Sequence, residues 1–489
     1  MENGILLQTF EWESSDDGNF YKELAKMAPE LAELGVSAVW MPPAAKGTSP
    51  QDVGYGNYDY WDLGEFEQHG TVRTKYGTRK ELSDCIRALH DCHIHVYADM
   101  VFNHKGGADE TETFQVVEVD ENDRTKEISE PHEIEGWTHF TFSGRGEKYS
   151  SFQWRWYHFN GIDYDQKTGK NGIFRILGEN KYWNTDTDSE KGNFDYLMNA
   201  DIDHDHPEVR EELERVSRFM IKEMGYDGFR YDALKHISRD FIDTLSRSIK
   251  KEHPDFYFVG EYWQDSKETL EWYLNQTEYS VDMFDVPLHF NFYEASRNPG
   301  YDIRQIFDDT VVRDYPMHTV TFVDNHDSQP GQSLQSWVDP WFKEIAYAMI
   351  LFRKDGYPCV FRGDLTGISG SDYAGLGNTL RRMMRLRKRY AYGEQDDYAV
   401  TPTKLAWVRR GDEIHSEPLA VLISTGDMDE ERLFVGEQEA GKTYMDWSGK
   451  NEDVVIDEEG FGLFTVAPGA VTYWTERNEE SEALCGKDR

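Results

Sequence analysis

Four short segments of this chain run from apolar residues straight into charged ones. They read Asp99-Met-Val-Phe-Asn103-His104, Gly228-Phe-Arg230-Tyr-Asp232-Ala-Leu-Lys235-His236, Val259-Gly-Glu261-Tyr-Trp263 and Phe322-Val-Asp324-Asn-His326-Asp327. Packing gives such polar groups no reason to end a strand. Three carboxylates brought to one mouth suit glycoside hydrolysis. A retaining enzyme needs one carboxylate as nucleophile and a second carboxyl as acid, about 5–5.5 Å apart. Neighbouring carboxylates push their pKa values apart, which supplies the acid. Residues two apart in a strand share a face, so Arg230 and Asp232 both point inward, and the guanidinium is expected to keep Asp232 ionised. Tyr55 and Trp263 can stack on sugar rings. Taken singly, each group has a plainer reading. A lone aspartate at a strand end is a turn former or helix cap, a lone histidine is structural, and Tyr55 or Trp263 could be core. Asp99 reads as an anchor for Arg230. Order and spacing together give the pattern its meaning.

The elements needed to position these groups are legible. Ile5–Phe10, Ala38–Met41, Ile94–Asp99, Gly228–Asp232, Phe256–Glu261, Val281–Phe284, Val320–Val323 and Pro358–Phe361 read as short strands, most of them β-branched or aromatic. Helical patterns lie between several of them. Phe20–Leu34 runs into Gly35, and Pro207–Gly225 starts on proline and ends on glycine. Eight strands alternating with helices predict an α/β (β/α)8 TIM barrel. Asp232 to Glu261 then spans about one βα unit and Glu261 to Asp327 about two. The stretch between Asp99 and Asp232 is far too long for one helical crossover. We therefore expect a barrel over 1–104 and 206–394, with an irregular β-rich insertion over 105–205. A C-terminal antiparallel β domain is expected over 395–480, including strands at Lys404–Arg409, Leu419–Ile423, Glu431–Val435 and Val471–Thr475. From Asn478 the chain, with its 481–489 tail, is expected to be loose.

Composition narrows the partners. Fifty-two Lys and Arg face 92 Asp and Glu, a formal net charge of -40. Such a surface repels nucleic acid and anionic membrane, and a neutral substrate fits it. No apolar run approaches the ~20 residues of a membrane helix. The first residues lack the basic and apolar regions of a secretory signal, so a cytoplasmic protein is expected, with a trimmed secreted form as the alternative. The four cysteines, Cys85, Cys92, Cys359 and Cys485, show no metal-binding spacing and read as reduced thiols. A monomer is expected.

At the four segments the sequence resembles the α-amylase family of glycoside hydrolases, and it is most similar to the bacterial liquefying and cytoplasmic members. Asp62-Leu-Gly-Glu-Phe, Thr74-Lys-Tyr-Gly-Thr, Asn103-His-Lys-Gly-Gly-Ala-Asp109 and Gly192-Asn-Phe-Asp-Tyr-Leu-Met198 carry the same likeness. The resemblance extends from Gln8-Thr-Phe-Glu-Trp12 to the C-terminal domain. It implies endo-acting, retaining hydrolysis of α-1,4 bonds in starch, glycogen or maltodextrins. Asp232 would be the nucleophile and Glu261 the acid/base, while Asp327 would bind sugar hydroxyls and favour ring distortion. Arg230 would orient Asp232, His104 and His326 would hydrogen-bond the sugar, and Tyr55 would stack beneath it. Lys235 and His236, with Trp263 nearby, would line the leaving-group side. The resemblance also implies a structural Ca2+ held by Asn103, Asp195, Asp201 and the backbone carbonyl of His236, all oxygen donors as a hard cation requires. Secreted liquefying relatives bind further metal ions through extra aspartates. Two of those positions read Asn160 and Asn184 here, which argues against additional sites despite Asp203 and Asp205.

Two other readings share these residues. One is an exo-acting maltooligosaccharide hydrolase or a glucanotransferase, whose catalytic residues are identical. The other is a non-catalytic glucan-binding protein, which would ordinarily have lost carboxylates that this chain keeps.

Overall fold

A computed structural model describes residues 3–486. Eight parallel strands close into a barrel in the order Ile5–Gln8, Val36–Trp40, His95–Met100, Gly228–Tyr231, Tyr257–Gly260, Asp282–Phe284, Thr319–Phe322 and Tyr357–Phe361, the last pairing with the first. Every expected barrel strand is present, its ends within a residue or two of the expected ones, and the fourth and fifth stop one residue before Asp232 and Glu261. The strands are almost wholly buried because helices cover the outside and side chains fill the inside.

The sequence sets the helix boundaries through capping. Thr78 and Glu81 form a reciprocal capping box at the start of Arg79–Asp91. Ser238, Ser266 and Asp285 accept backbone N–H groups at the starts of the helices after strands four, five and six. The Pro207 helix is α only to Phe219. It widens to a π turn over Met220–Met224 and ends at Gly225 with φ 82°.

The segment between the third and fourth barrel strands is more regular than expected. It forms a six-stranded antiparallel sheet whose first strand, His104–Lys105, pairs with Ala200–Ile202. The last third holds a second six-stranded antiparallel sheet and the two-stranded pair Asp429–Phe434 and Phe461–Val466. That region packs on the barrel through Tyr473, whose ring lies 5.3 Å from that of Phe352. The expectation of a loose tail fails over 479–486, while 487–489 lie outside the described residues. Glu479–Gly486 is helical. Asn478 caps it by accepting from the Ser481 N–H, and Arg389 pairs with Glu480. Local capping and an ion pair order what composition alone marked as solvated.

Among the described residues no helix is long and apolar enough to cross a membrane. Cys85, Cys92 and Cys359 are free thiols. The Cys485 side chain lies outside the described residues.

Candidate functional site

Strand register builds the centre. Parallel pairing sets Arg230 beside Asp99 on one side and beside Val259, two residues before Glu261, on the other. Arg230 is fully buried and serves three carboxylates. Its Nη1 donates to Asp99 at 2.8 and 3.0 Å and to Asp232 at 2.7 Å, and its Nη2 donates to Glu261 at 2.7 Å. Its guanidinium also lies over the Trp40 ring. The chain turns sharply after Asp232. Ala233 sits in the left-handed region at φ 52°, uncommon for a residue with a Cβ, and its N–H donates to Glu261 at 3.2 Å. Gly260 permits this turn, because a Cβ there would lie 2.0 Å from Leu234. Asp327 is oriented by its own loop. The Asn325 side chain accepts from the Asp327 and Ser328 N–H groups at 2.9 and 2.8 Å.

Asp232, Glu261 and Asp327 line one cavity of about 430 Å³, together with Tyr55, His104, Lys235, His236 and Trp263. His326 lies directly behind it, with Nδ1 2.9 Å from the Gln8 amide and Nε2 3.3 Å from Asp327. Its ring stacks on Tyr55 at 5.2 Å, and Tyr55 stacks on Trp12 at 5.8 Å. Asp99 points away from the cavity and accepts from Trp40 at 2.9 Å and Tyr55 at 2.8 Å, so it fixes both the arginine and the aromatic wall.

Two details differ from expectation. Arg230 does not keep Asp232 in the ordinary carboxylate range. Burial, with Glu261 and Asp99 adding to it, outweighs the guanidinium and raises Asp232 to about 7. Burial raises the Asp99 and Asp327 carboxyls as well. His104, in turn, spends both ring nitrogens inside the protein. Nε2 donates to the Tyr55 carbonyl at 2.8 Å, and Nδ1 faces the Asn103 amide at 3.3 Å. Here it braces Tyr55. Lys235 pairs with Glu190 at the rim.

Several wall residues escaped the sequence reading. Trp12 follows the first barrel strand, so its strand-end position was a usable signal. Glu190, Phe194 and Met198 reach the cavity from the insertion, where no periodicity points to them. Lys343 holds the Asp327 loop from below, pairing with Asp324 at 2.7 Å and with Asp364. Asp324, though part of the fourth segment, therefore belongs to this support.

A second cluster lies where the insertion meets the barrel. The Asn103 Oδ1, the Asp195 Oδ1 and both oxygens of Asp201 are buried without any donor. The pairing of His104 with Asp201 brings them together, and the Asn103 carbonyl accepts from Ile202. His236 joins through its Nδ1, which donates to the Phe194 carbonyl at 2.7 Å. Buried acceptors with no donors are what a hard cation satisfies. Asn160 and Asn184 hydrogen-bond one another and Asp195, and Lys181 pairs with Asp203 in the interior. Farther out, ligand atoms of His158, His206 and Glu208 lie within 4.8 Å of one another. His158 Nδ1 accepts the Arg155 N–H at 3.0 Å, so the neutral ring carries its proton on Nε2 and donates it to Glu208 at 3.3 Å rather than offering that nitrogen to a metal.

The family described as "Alpha amylase, catalytic domain" matches residues 25–407. An "Alpha-amylase" of Bacillus licheniformis is 48% identical over 97% of this chain and 94% of its own length. A "Glucan 1,4-alpha-maltohexaosidase" of Bacillus sp. (strain 707) is 45% identical over 97% and 93%. A "Cytoplasmic alpha-amylase" of Escherichia coli (strain K12) is 40% identical over 97% and 99%.

Proposed function

The chain belongs to the α-amylase family, and from that premise we propose that Asp232, Glu261 and Asp327 carry retaining, endo-acting cleavage of an α-glucan chain. It is a glycoside hydrolase of α-1,4-glucosidic bonds. The observation that carries the residue assignment is the single buried guanidinium of Arg230, hydrogen-bonded at once to Asp232 and Glu261, with Asp327 on the same cavity wall.

In the first step Asp232 attacks the anomeric carbon while Glu261 gives its proton to the glycosidic oxygen. The C–O bond breaks, the shortened glucan leaves as an alcohol, and a β-glucosyl ester forms on Asp232. In the second step Glu261 takes a proton from water, the water oxygen attacks the same carbon, and Asp232 departs as carboxylate. Two inversions return the α configuration. Asp327, backed by His326, binds ring hydroxyls, Tyr55 stacks beneath the ring, and Lys235, His236 and Trp263 hold the leaving side. Arg230 supplies charge that is matched best when Asp232 is anionic, in the free enzyme and on its release.

Asn103, Asp195, Asp201 and the carbonyl of His236 would hold a calcium ion. The orphaned oxygens support this reading, and a bound ion would tie the insertion to the barrel. Likeness to the Escherichia coli relative supports a cytoplasmic location.

The test is a product time course on amylose, with anomeric configuration followed by NMR. The expected result is α-anomers first and a broad range of early fragment lengths, with kcat lowered about 10²–10⁴-fold in Glu261→Gln and Asp232→Asn and the fold retained. Initial β-anomers or undiminished turnover in either variant would refute the assignment. Early products of one length would instead favour exo action, the reading that the maltohexaosidase relative suggests.

A further inference from the structure

The short extension beyond the fifth barrel strand serves two hollows. Glu261 and Trp263 face the cavity already described, while Tyr262 and Gln264 face a second groove of about 600 Å³. Alternation along an extended chain produces this division. Glu190 lines both hollows, so the groove continues the cleft across the Glu190–Lys235 ion pair on the leaving-group side.

The groove has the chemistry of a sugar-binding surface. Its far wall is Trp272, on the helix Lys267–Gln276, and that side chain is 42% exposed. Arg239 lies 5.8 Å from its centroid and backs it. Gln264, Thr187 and Ser189 supply hydroxyl and amide groups. The floor is fixed, because Tyr262 donates to Asp188 at 2.5 Å. No lysine or arginine lines the groove, which disfavours an anionic ligand. An aromatic platform among hydroxyl, amide and carboxylate groups, the last from Asp188, Glu190 and Glu268, can hydrogen-bond sugar hydroxyls, and continuous with a glucan cleft it fits further glucose units.

We propose that the leaving-group end of a long α-glucan crosses the Glu190–Lys235 pair and lies in this groove, stacked on Trp272. The groove would select for chain length on the leaving-group side. This inference rests on the α-glucan reading of the cleft.

Trp272→Ala and Trp272→Phe test it, with kcat and KM measured on amylose and on a short maltooligosaccharide that ends before the groove. Trp272 is exposed, so both variants should keep the wild-type melting temperature. Loss of the ring should lower kcat/KM on amylose roughly three- to tenfold, through KM, and leave the short substrate unchanged. Trp272→Phe should recover most of the loss. An equal fall on both substrates, or no change on either, overturns the groove assignment while wild-type cleavage of amylose upholds the function. A wild-type protein that cleaves neither substrate removes the function reading itself.

Discussion

Arg230 and Asp99 face each other across two parallel strands, with one guanidinium nitrogen 2.8 and 3.0 Å from the two carboxylate oxygens, and neither group reaches solvent. The pair sits beneath the cavity, and everything above it inherits its position. The other nitrogen of the same guanidinium holds Glu261, and Asp99 also holds Tyr55 and Trp40. Asp99 is thus a positioning residue for three groups that it does not itself present to substrate.

Replacing Asp99 should separate chemistry from binding. Asp99→Asn keeps the volume but weakens the hold on Arg230, so kcat should fall at least about tenfold with little change in KM. Asp99→Ala leaves a buried guanidinium short of a partner and should cost about 3–5 kcal/mol of stability. Steady-state kinetics and denaturant unfolding read the two effects. Wild-type kcat in Asp99→Asn would show that Arg230 needs no anchor.

The acidic limb of the pH profile should follow Asp232. Burial raises its carboxyl to about 7, against the pull of Arg230. Attack requires the anion, so kcat/KM should rise with pH up to about 7. Arg230→Met removes the one influence that favours the anion most, so the limb should move to higher pH, not lower. A limb that stays in place in that variant would mean that another group controls it.

The barrel was legible because most strands carry a dense β-branched or aromatic run, with charged groups gathered at or near their C-terminal ends. The four segments were legible for the same reason. The Asp232 shift was not. An Arg two residues away suggests an ionised partner, but burial and the crowding of Asp99 and Glu261 depend on three strands meeting, which no single segment encodes. The sugar contact expected of His104 likewise gives way to the Tyr55 carbonyl, which only the folded chain brings to its Nε2. The C-terminal strands Gln395–Thr401, Thr443–Asp446 and Phe461–Val466 were missed because charged residues, glycine and short length dilute their alternation. Glu190 and Lys343 act from loop and helix positions that become meaningful only in the folded chain.

With the proposed cation held by the donor-free oxygens of Asn103, Asp195 and Asp201, stability should depend on its binding. Exhaustive chelation should lower the melting temperature by several degrees, and added calcium should restore it, since a ligand at a hundred times its Kd contributes about 2.7 kcal/mol. Asp201→Asn should melt early and respond to neither chelator nor calcium. Calorimetry reads this without reference to activity. A chelated wild-type protein that melts unchanged would leave these oxygens unexplained by a metal.

Asp327 should cost the fold stability as pH rises. Burial, then Glu261, raises its carboxyl well above the ordinary aspartate range. Its nearest basic group, His326, is itself held neutral by burial and by Arg230. The unfolded chain releases this proton near pH 4, whereas the folded protein keeps it. A raised folded value means that the contribution is complete below about pH 4 and is lost as pH climbs toward the folded value. An asparagine carries no proton to lose. Asp327→Asn should therefore match the wild-type melting temperature near pH 4 and exceed it by about 2–4 °C near pH 7, while losing activity. Melting curves of inactive variant and wild type across that range decide it. A gap that opened the other way would mean that the ionised carboxylate is stabilised where it sits, and the cluster would then hold its proton elsewhere.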